Sequence, residues 1–265
     1  MRPISREEGR RLFGSDPAGY DRARPGHPAR VYEVLVDRCG LVEGAAVLEV
    51  GPGTGQATRR LLELGAAPLV AIEPNEQLAA HLRNAFGERV DVRETTIEEA
   101  SFPAGSFELA TAASSFHWVD EEVGLGRIFD ALRPGGWVAL WWTIFGSDEP
   151  DAFIDATSPL LQDLEPSPTQ GETGRPRHAR DVEARSEALA MAGFVDLTHE
   201  LVAWEASWDT GGIRALYGSF SPILRLADGR REQILDAIAR IAEQDFDGRV
   251  SRTLTTSLYT GRRAL

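Results

Sequence analysis

Residues 47–55 read VLEVGPGTG, an apolar run that changes into glycines at every second position. The first four residues are apolar apart from Glu49 and too few for a helix, as in a strand covered on both faces of a sheet. The glycines let the backbone turn sharply and approach a ligand closely. Residues 56–62, QATRRLL, then begin a helix. We therefore predict a buried strand, a tight loop at the ligand-binding edge of an α/β sheet, and a helix.

The spacing of the glycines restricts the ligand that this loop can hold. A dinucleotide-binding loop reads G-x-G-x-x-G, and its third glycine would fall at Gln56. A phosphate-binding loop needs Gly-Lys-Ser/Thr after four intervening residues, and this stretch has no such lysine. The pattern that remains, acidic-x-Gly-x-Gly-x-Gly from Glu49 to Gly55, resembles the class I methyltransferases that use S-adenosylmethionine. An ordinary turn between a strand and a helix is the alternative for the glycines alone.

An acidic residue at the end of the next predicted strand extends the resemblance. Residues 68–73 read PLVAIE, and Glu73 lies 24 positions after Glu49. In nucleotide-binding α/β folds, a carboxylate about 20 residues after the glycine loop binds the ribose hydroxyls. An ionised carboxylate suits this role because its two oxygens can accept hydrogen bonds from two adjacent hydroxyl groups. We therefore predict that Glu73 binds ribose and that Asn75 caps the following helix.

A second informative segment, SSFHWVD at residues 114–120, follows the predicted fourth strand. It resembles the branch of small-molecule methyltransferases that includes the trans-aconitate type. Aromatic faces attract cations, so we expect Phe116 and Trp118 to face the sulfonium of the cofactor rather than the core. His117 titrates near neutrality and is a candidate general base. A structural histidine with a hydrogen bond to the backbone is the alternative for His117.

The resemblance implies S-adenosylmethionine as the cofactor and methyl transfer to an oxygen, nitrogen or carbon atom of a small molecule. It places Thr96 and Ile97 at the edge of the adenine, with Glu98 near the adenine amino group. A protein of the same fold that binds the cofactor without methylating, for a cyclisation, a decarboxylation or regulation, is the alternative. The expected cofactor contacts are Glu49, Gly51, Pro52, Gly53, Gly55, Glu73, Pro74, Thr96, Ile97, Ser114 and Trp118.

Residues outside these motifs are candidates for contacting a ligand. Arg24 and His27 lie in an N-terminal segment rich in Arg, Gly and Pro, and in the resembling family such a segment lies over the cofactor site as part of a lid. A solvated loop is the alternative for both residues. Trp141 and Trp142 end the predicted fifth strand, and alternation directs their side chains to opposite faces of the sheet. We expect one of these two tryptophans in the core and the other on the pocket wall.

The predicted fold class is α/β, a doubly wound, seven-stranded Rossmann-like methyltransferase sheet with a helical cap from the N-terminal arm and insertions. The resemblance implies that the last strand is inserted antiparallel between strands five and six. We predict that the fifth strand starts at Trp137, after a Pro-Gly-Gly turn, and that residues 207–219 are helical. A single domain, residues 1–265, would comprise an N-terminal lid (1–40), a cofactor-binding core (41–143), cap segments (144–180 and 205–248) and a last strand (250–261).

Composition restricts the partners and the compartment. The formal net charge of −13 argues against a nucleic acid partner, because affinity for phosphates comes mainly from Lys and Arg. Cys39 is the only cysteine, which excludes an internal disulfide and a cysteine-rich metal site and favours a reducing compartment. The chain shows neither a secretory signal nor a membrane-spanning run. We therefore expect a cytoplasmic protein with a small-molecule substrate, no metal and no membrane partner, while the oligomeric state is not predicted.

Overall fold

The computed structural model describes residue 21 and residues 23–146, 149–164 and 178–265. Parts of two predicted segments lie outside these residues, namely 1–20 and 22 of the N-terminal lid and 147, 148 and 165–177 of the first cap segment. Seven strands in the described part of the chain form one sheet. They are β1 (Val47–Val50), β2 (Leu69–Ile72), β3 (Asp91–Arg93), β4 (Phe107–Ala113), β5 (Leu132–Ile144), β6 (Phe194–Asp209) and β7 (Arg249–Arg263).

The strands are arranged in the order β3-β2-β1-β4-β5-β7-β6. Strands β1 to β5 are parallel, and β7 lies antiparallel between β5 and β6. The direction in which the chain fills the sheet reverses between the neighbours β1 and β4, and open α/β sheets bind ligands at such a point. The predicted seven-stranded methyltransferase sheet, including its inserted last strand, is confirmed.

Helices cover the faces of the sheet and form a further layer beyond one end of it. The side chain of Asn75 accepts hydrogen bonds from the backbone amides of Gln77 and Leu78, so the predicted cap of the third helix is confirmed. Short 3-10 turns lie at Gly87–Arg89, Phe116–Trp118 and His178–Arg180. The α-helices are α1 (Ala29–Asp37), α2 (Gln56–Glu63), α3 (Glu76–Phe86), α4 (Glu121–Ala131), α5 (Ala152–Leu161), α6 (Val182–Met191), α7 (Thr210–Gly218), α8 (Ser221–Leu224) and α9 (Asp228–Asp245).

Alternate residues of β1 pack on opposite sides of the sheet. Leu48 belongs to one buried cluster, with Leu125 of α4, and Val47 belongs to a second cluster, with Leu61 of α2. All four residues of β1 are buried, so the strand is covered on both faces, as its apolar sequence predicts. Glu49 follows Val47 by two positions and therefore lies on the same side of the sheet as α2.

The antiparallel strands β6 and β7 are longer than the other strands of the sheet and carry the cap. β7 pairs with β6 down to Arg249, but it pairs with β5 only from Arg262 to Thr255. The projecting end of this strand pair packs against α5, α7, α8 and α9 in a third buried cluster that includes Leu254. Because β7 extends past the carboxyl end of β5, this cap stands over the carboxyl ends of the parallel strands.

Strand β5 begins at Leu132 rather than at Trp137, so the prediction of its start is wrong. Leu132 pairs with Phe107, and pairing continues between Trp137 and Leu109 after a shift in register. The proline and the two glycines in between form an irregularity within the strand instead of a turn before it. Pairing with β4 on both sides of the irregularity keeps these residues in the sheet.

The prediction of a helix over residues 207–219 is wrong at its start, because α7 begins at Thr210. Trp208 and Asp209 instead continue β6, where Trp208 pairs with Val250 of β7 and is buried in the cap. Strand pairing and burial of the indole therefore outweigh the local helical pattern at these positions.

Candidate active site

A cavity of about 800 Å³ opens at the carboxyl ends of the parallel strands, beneath the cap. The last residues of β1, β2 and β4, which are Val50, Ile72 and Ala113, lie on its wall. The loops after β1, β2 and β3 line one end of it. The N-terminal segment around Arg24, together with α5, α7, α8 and β7, lines the other end. This volume is in the range of sites that hold small molecules.

Most of the residues predicted to bind the cofactor or to act in catalysis lie on this wall, although they come from distant parts of the chain. The same wall includes Arg24, His27 and Glu98. Glu49 and Gly55 are not among the lining residues. The predicted residues that the structure brings together on the wall are Gly51, Pro52, Gly53, Glu73, Pro74, Thr96, Ile97, Ser114, His117 and Trp118.

The glycines of the loop after β1 serve two purposes. Gly51, Gly53 and Gly55 have positive φ angles of 65°, 60° and 85°. A Cβ atom at Gly51 would lie 2.6 Å from the Cβ of Ser115, whereas nothing lies within 4 Å of a Cβ at Gly53. A Cβ at Gly55 would lie 2.5 Å from the ring of Phe86 on α3. Gly51 and Gly53 thus shape the cavity wall, whereas Gly55 allows close packing between the loop and α3.

Glu73 is held in place by the glycine loop. Its Oε2 accepts a hydrogen bond from the backbone N–H of Gly53 at 3.1 Å, and its Oε1 accepts one from the N–H of Asn75 at 3.0 Å. The pairing of Val50 with Ile72 brings the ends of β1 and β2 together and makes this contact possible. Two backbone N–H groups thus hold both carboxylate oxygens of Glu73 in a fixed position on the cavity wall.

Glu49 lies behind the loop and not on the cavity wall. The carboxylate is fully buried, and its Oε2 accepts a hydrogen bond from the hydroxyl of Thr58 on α2 at 2.7 Å. Its Oε1 has no hydrogen-bond partner in the described part of the chain. Burial raises the pKa of Glu49 to about 7, and the nearby charge of Glu73 adds to this effect. Direct contact between Glu49 and the cofactor stays a prediction.

The loop after β3 supplies an apolar surface next to Glu73. Ile97 is buried and lies on the wall, as do Thr96 and Glu98. The Oε1 of Glu98 accepts a hydrogen bond from the backbone N–H of Asp120 at 3.0 Å, which connects this loop to the start of α4. The grouping fits a flat, mostly apolar ring with polar edges.

Phe116 lies in the core, so the prediction that it faces the sulfonium is wrong. Its side chain belongs to the cluster beneath α4, and it is not among the lining residues. His117 and Trp118 do lie on the wall. The 3-10 turn that contains all three residues explains the difference, because three residues per turn direct successive side chains about 120° apart. One of the three must therefore face the core.

His117 is half-buried and neutral. The indole N–H of Trp142 donates a hydrogen bond to His117 Nδ1 at 3.2 Å, so the ring proton lies on Nε2. Burial lowers the pKa of His117 to about 3, with a smaller contribution from the neighbouring His178. Trp142 also lies on the cavity wall, and Trp141 packs in the core, as the alternation predicts. The general-base role of His117 stays a prediction, and these contacts count against it.

Several wall residues were not predicted. Gln56, directly after the last glycine, lies on the wall and donates a hydrogen bond from its amide to the carbonyl of Arg24 at 2.9 Å. A polar side chain at the start of the helix was a signal that could have identified it. Arg252 of β7 and Thr157 of α5 also lie on the wall. No pattern in the sequence indicates Arg252 or Thr157, because their position depends on how far β6 and β7 extend past β5.

We expect Gly51→Ala to destabilise the protein more than Gly53→Ala does. Both positions have positive φ, so both substitutions share the backbone strain. Only the methyl group at position 51 would also collide with Ser115. Overpacking of this kind costs about 1–3 kcal/mol. Equilibrium unfolding in urea measures both variants, and equal losses of unfolding free energy would show that the contact with Ser115 is not close.

Glu49→Gln should change how stability depends on pH. Between pH 4.5 and about 7, native Glu49 retains a proton that the unfolded chain has released, because burial raises its pKa in the native state. The native protein is therefore stabilised by this proton at low pH and loses that stability as the pH rises to about 7. The variant lacks this loss, so its stability relative to the wild type should increase from pH 5 to pH 8 by about 1–3 kcal/mol.

Chemical denaturation at pH 5, 6, 7 and 8 measures this difference. Glu205→Gln, at an exposed position of β6, is the matched control and should leave the pH dependence of stability unchanged. A constant difference between Glu49→Gln and the wild type over this range would contradict the burial of an ionisable carboxyl at position 49.

Two kinds of feature are absent from the described part of the chain. None of its helices is both long and apolar enough to span a membrane. Among the same residues, no group of three or more His, Cys, Asp or Glu side chains is arranged to hold a metal ion.

Comparisons with known proteins agree with the geometry of the cavity. Residues 48–140 match a family described as a methyltransferase domain. An uncharacterized methyltransferase of Schizosaccharomyces pombe is 27% identical over 257 residues, which cover 96% of this chain and 97% of the relative. An uncharacterized methyltransferase of a Geobacillus species is 31% identical over 143 residues, which cover 51% of this chain and 67% of the relative.

The fold has a counterpart among solved structures. A structure from Anaeromyxobacter dehalogenans, described as a type II methyltransferase, superimposes with a TM-score of 0.66 at 23% identity. The alignment covers 91% of this chain and 98% of that one. The matched family, the relatives and the sheet agree with one another, and the methyl donor of this class is S-adenosylmethionine. The chain therefore belongs to the class I S-adenosylmethionine-dependent methyltransferases.

Proposed function

We propose that this methyltransferase transfers the methyl group of S-adenosylmethionine to a small molecule held beneath the cap. The observation that carries the proposal is that one continuous space of about 800 Å³ joins the predicted cofactor residues to the residues of the cap. The resemblance of residues 114–120 to the trans-aconitate branch also supports a small-molecule acceptor. The net charge of −13 disfavours a polyanionic acceptor such as nucleic acid.

The residues on the wall fit the cofactor. Gly53 leaves open space where a side chain would stand, and Glu73 offers a fixed carboxylate beside it. S-adenosylmethionine supplies a methyl group activated on a positively charged sulfur. Glu73 would accept hydrogen bonds from the ribose hydroxyls, and Ile97 would pack against the adenine. Trp118 would present its ring to the positive charge.

The protein would contribute to the reaction mainly by placement. Holding a nucleophile and a reacting carbon in line can supply ~7–11 kcal/mol of the barrier, because the entropy of bringing them together is lost on binding. The cap, which packs through its own buried cluster, would exclude water from the space where the two substrates meet.

The histidines beside the cavity favour an acceptor that needs no base. Burial lowers the pKa of His117 to about 3 and that of His27 to about 4, so both rings are neutral at pH 7. A ring with such a low pKa takes up a proton only weakly. We therefore propose that His117 donates a hydrogen bond through Nε2, and that the nucleophilic atom of the acceptor is already unprotonated at pH 7.

The cytoplasm is the compartment that we propose. Cys39 is the only cysteine, and it is a free thiol in the buried cluster that contains Val47 and Leu61. Burial raises its pKa to about 12, so the reactive thiolate does not form at neutral pH. A chain without disulfides agrees with a reducing environment.

Glu73→Ala should weaken binding of S-adenosylhomocysteine by 10-fold or more, equivalent to about 1.4 kcal/mol. The variant loses the acceptor for the ribose hydroxyls and for the N–H of Gly53. Isothermal titration calorimetry measures the affinity. Glu76→Ala, at an exposed position in the first turn of α3, is the control and should bind as the wild type does. Unchanged affinity in Glu73→Ala would remove Glu73 from the ribose site.

Methyl transfer itself is tested with methyl-labelled S-adenosylmethionine and pools of small molecules. We expect S-adenosylhomocysteine to form together with a labelled product when a pool contains the acceptor. A reaction without any pool is the control for slow hydrolysis of the cofactor. Binding of the cofactor with no label transferred in any pool, but with conversion of a pool compound, would favour the non-methylating alternative.

A further inference from the structure

The charges on the cavity wall are separated along its length. Four lining residues of the described chain carry a formal charge, two carboxylates and two guanidinium groups. Glu73 and Glu98 follow β2 and β3, at the end where the cofactor is proposed to bind. Arg24 and Arg252 lie at the cap end, where both contact Phe145. A ligand in the cap end therefore meets guanidinium groups and not carboxylates on the wall.

Arg252 is buried and only partly bonded. Its side chain is 2% exposed. The Nε donates a hydrogen bond to Asp151 Oδ2 at 2.7 Å, and Nη2 donates one to the carbonyl of Phe145 at 3.2 Å. The remaining nitrogen, Nη1, has two N–H groups and makes no hydrogen bond with the described residues. Arg252 lies on the cavity wall, and Nη1 is not one of the fully buried unpaired atoms, so these two N–H groups are open to an acceptor in the cavity.

The second guanidinium, that of Arg24, lies against two aromatic rings that also contact each other. Its Cζ lies 4.6 Å from the ring centre of Phe145 and 4.8 Å from that of Phe220. Its Nε also donates a hydrogen bond to the hydroxyl of Ser219 at 2.8 Å. Stacking and hydrogen bonding hold the charge on the wall, so the orientation of the guanidinium does not depend on a ligand.

The rest of the cap end is largely apolar. Burial of an apolar group against these side chains would be favourable, because it removes apolar surface from water. The apolar residues there are Phe145, Ile154, Leu161, Leu164, Phe220 and Ile223. A ligand that matches this end of the cavity has an apolar body and one negatively charged group.

We propose that the acceptor is an apolar molecule with a single anionic group, a carboxylate or a phosphate, and that Arg252 anchors this group in the cap end of the cavity. The proposal rests on the proposed function, because it assumes that the cofactor occupies the other end. A bidentate or paired contact with a guanidinium suits both kinds of anion. Specificity for the acceptor then comes from the cap and not from the cofactor loop.

Three probes of equal chain length test the proposal: octanoate, octyl phosphate and 1-octanol. Each is titrated into protein saturated with S-adenosylhomocysteine. Binding is followed by tryptophan fluorescence, because Trp118 and Trp142 lie on the cavity wall. We expect at least one of the two anions to bind at least 10-fold more tightly than 1-octanol. The ratio between octanoate and octyl phosphate identifies the preferred head group.

The test variant is the double substitution Arg252→Met with Asp151→Asn. Methionine keeps an unbranched side chain, and asparagine avoids a bare charge while its Oδ1 can still cap α5, as Asp151 Oδ1 does now. The preference for the anion should fall to below 2-fold, while the affinity for 1-octanol stays unchanged. Arg230→Met, at an exposed position of α9, is the matched control and should keep the full preference.

Two results would overturn the proposal of an anionic acceptor and leave the proposed function standing. One is equal affinity of the wild type for all three probes, and the other is a preference for anions that persists in the double variant. A titration with S-adenosylhomocysteine comes first and separates these from failure of the proposed function. If the wild type does not bind S-adenosylhomocysteine, both proposals fail. Unchanged binding of S-adenosylhomocysteine by the double variant shows that it is folded.

Discussion

The close approach of Gly51 to Ser115 is the contact on which the geometry of the site depends. It is possible because Gly51 has no side chain, and it brings the hydroxyl of Ser115 to 2.6 Å from the carbonyl of Val50. The neighbouring Ser114 adopts a positive φ of 53°, and its hydroxyl accepts a hydrogen bond from the N–H of Thr143. The ends of β1, β4 and β5 are thereby linked side by side. The turn that carries the wall aromatics extends from this linkage.

Burial controls the charge of groups on the cavity wall and behind it. A low dielectric disfavours the ionised form of an isolated group, and it keeps His117 and His27 neutral and raises the pKa of Glu49. The groups that remain charged have partners, as Arg252 has in Asp151 and Glu73 has in two backbone amides. The site thus presents few charges to a ligand, and each of them has a defined direction.

The two halves of the cavity belong to different parts of one sheet. The end proposed for the cofactor is built by loops at the ends of the parallel strands β1, β2 and β3. The cap end is built on the projecting ends of the antiparallel strands β6 and β7. The cap packs through its own buried cluster. Arg24 links this cap to the residue after the glycine loop, because its side chain donates a hydrogen bond to Ser219 and its carbonyl accepts one from Gln56.

The arrangement of the seven strands was predicted from the family resemblance, whereas the sequence by itself determined the local features: the buried strand β1, the glycine loop and the acid at Glu73. These follow from short-range patterns, since alternation, glycine spacing and caps depend on residues close in the chain. The direction of Phe116, the start of β5 and the start of α7 were predicted wrongly. At these positions, pairing and burial against distant residues outweigh local propensity. The tertiary structure alone decided that Glu49 and Gly55 lie behind the wall and that Arg252 lies on it. Whether a side chain faces a cavity depends on how distant strands are offset, and no nearby residue records that offset.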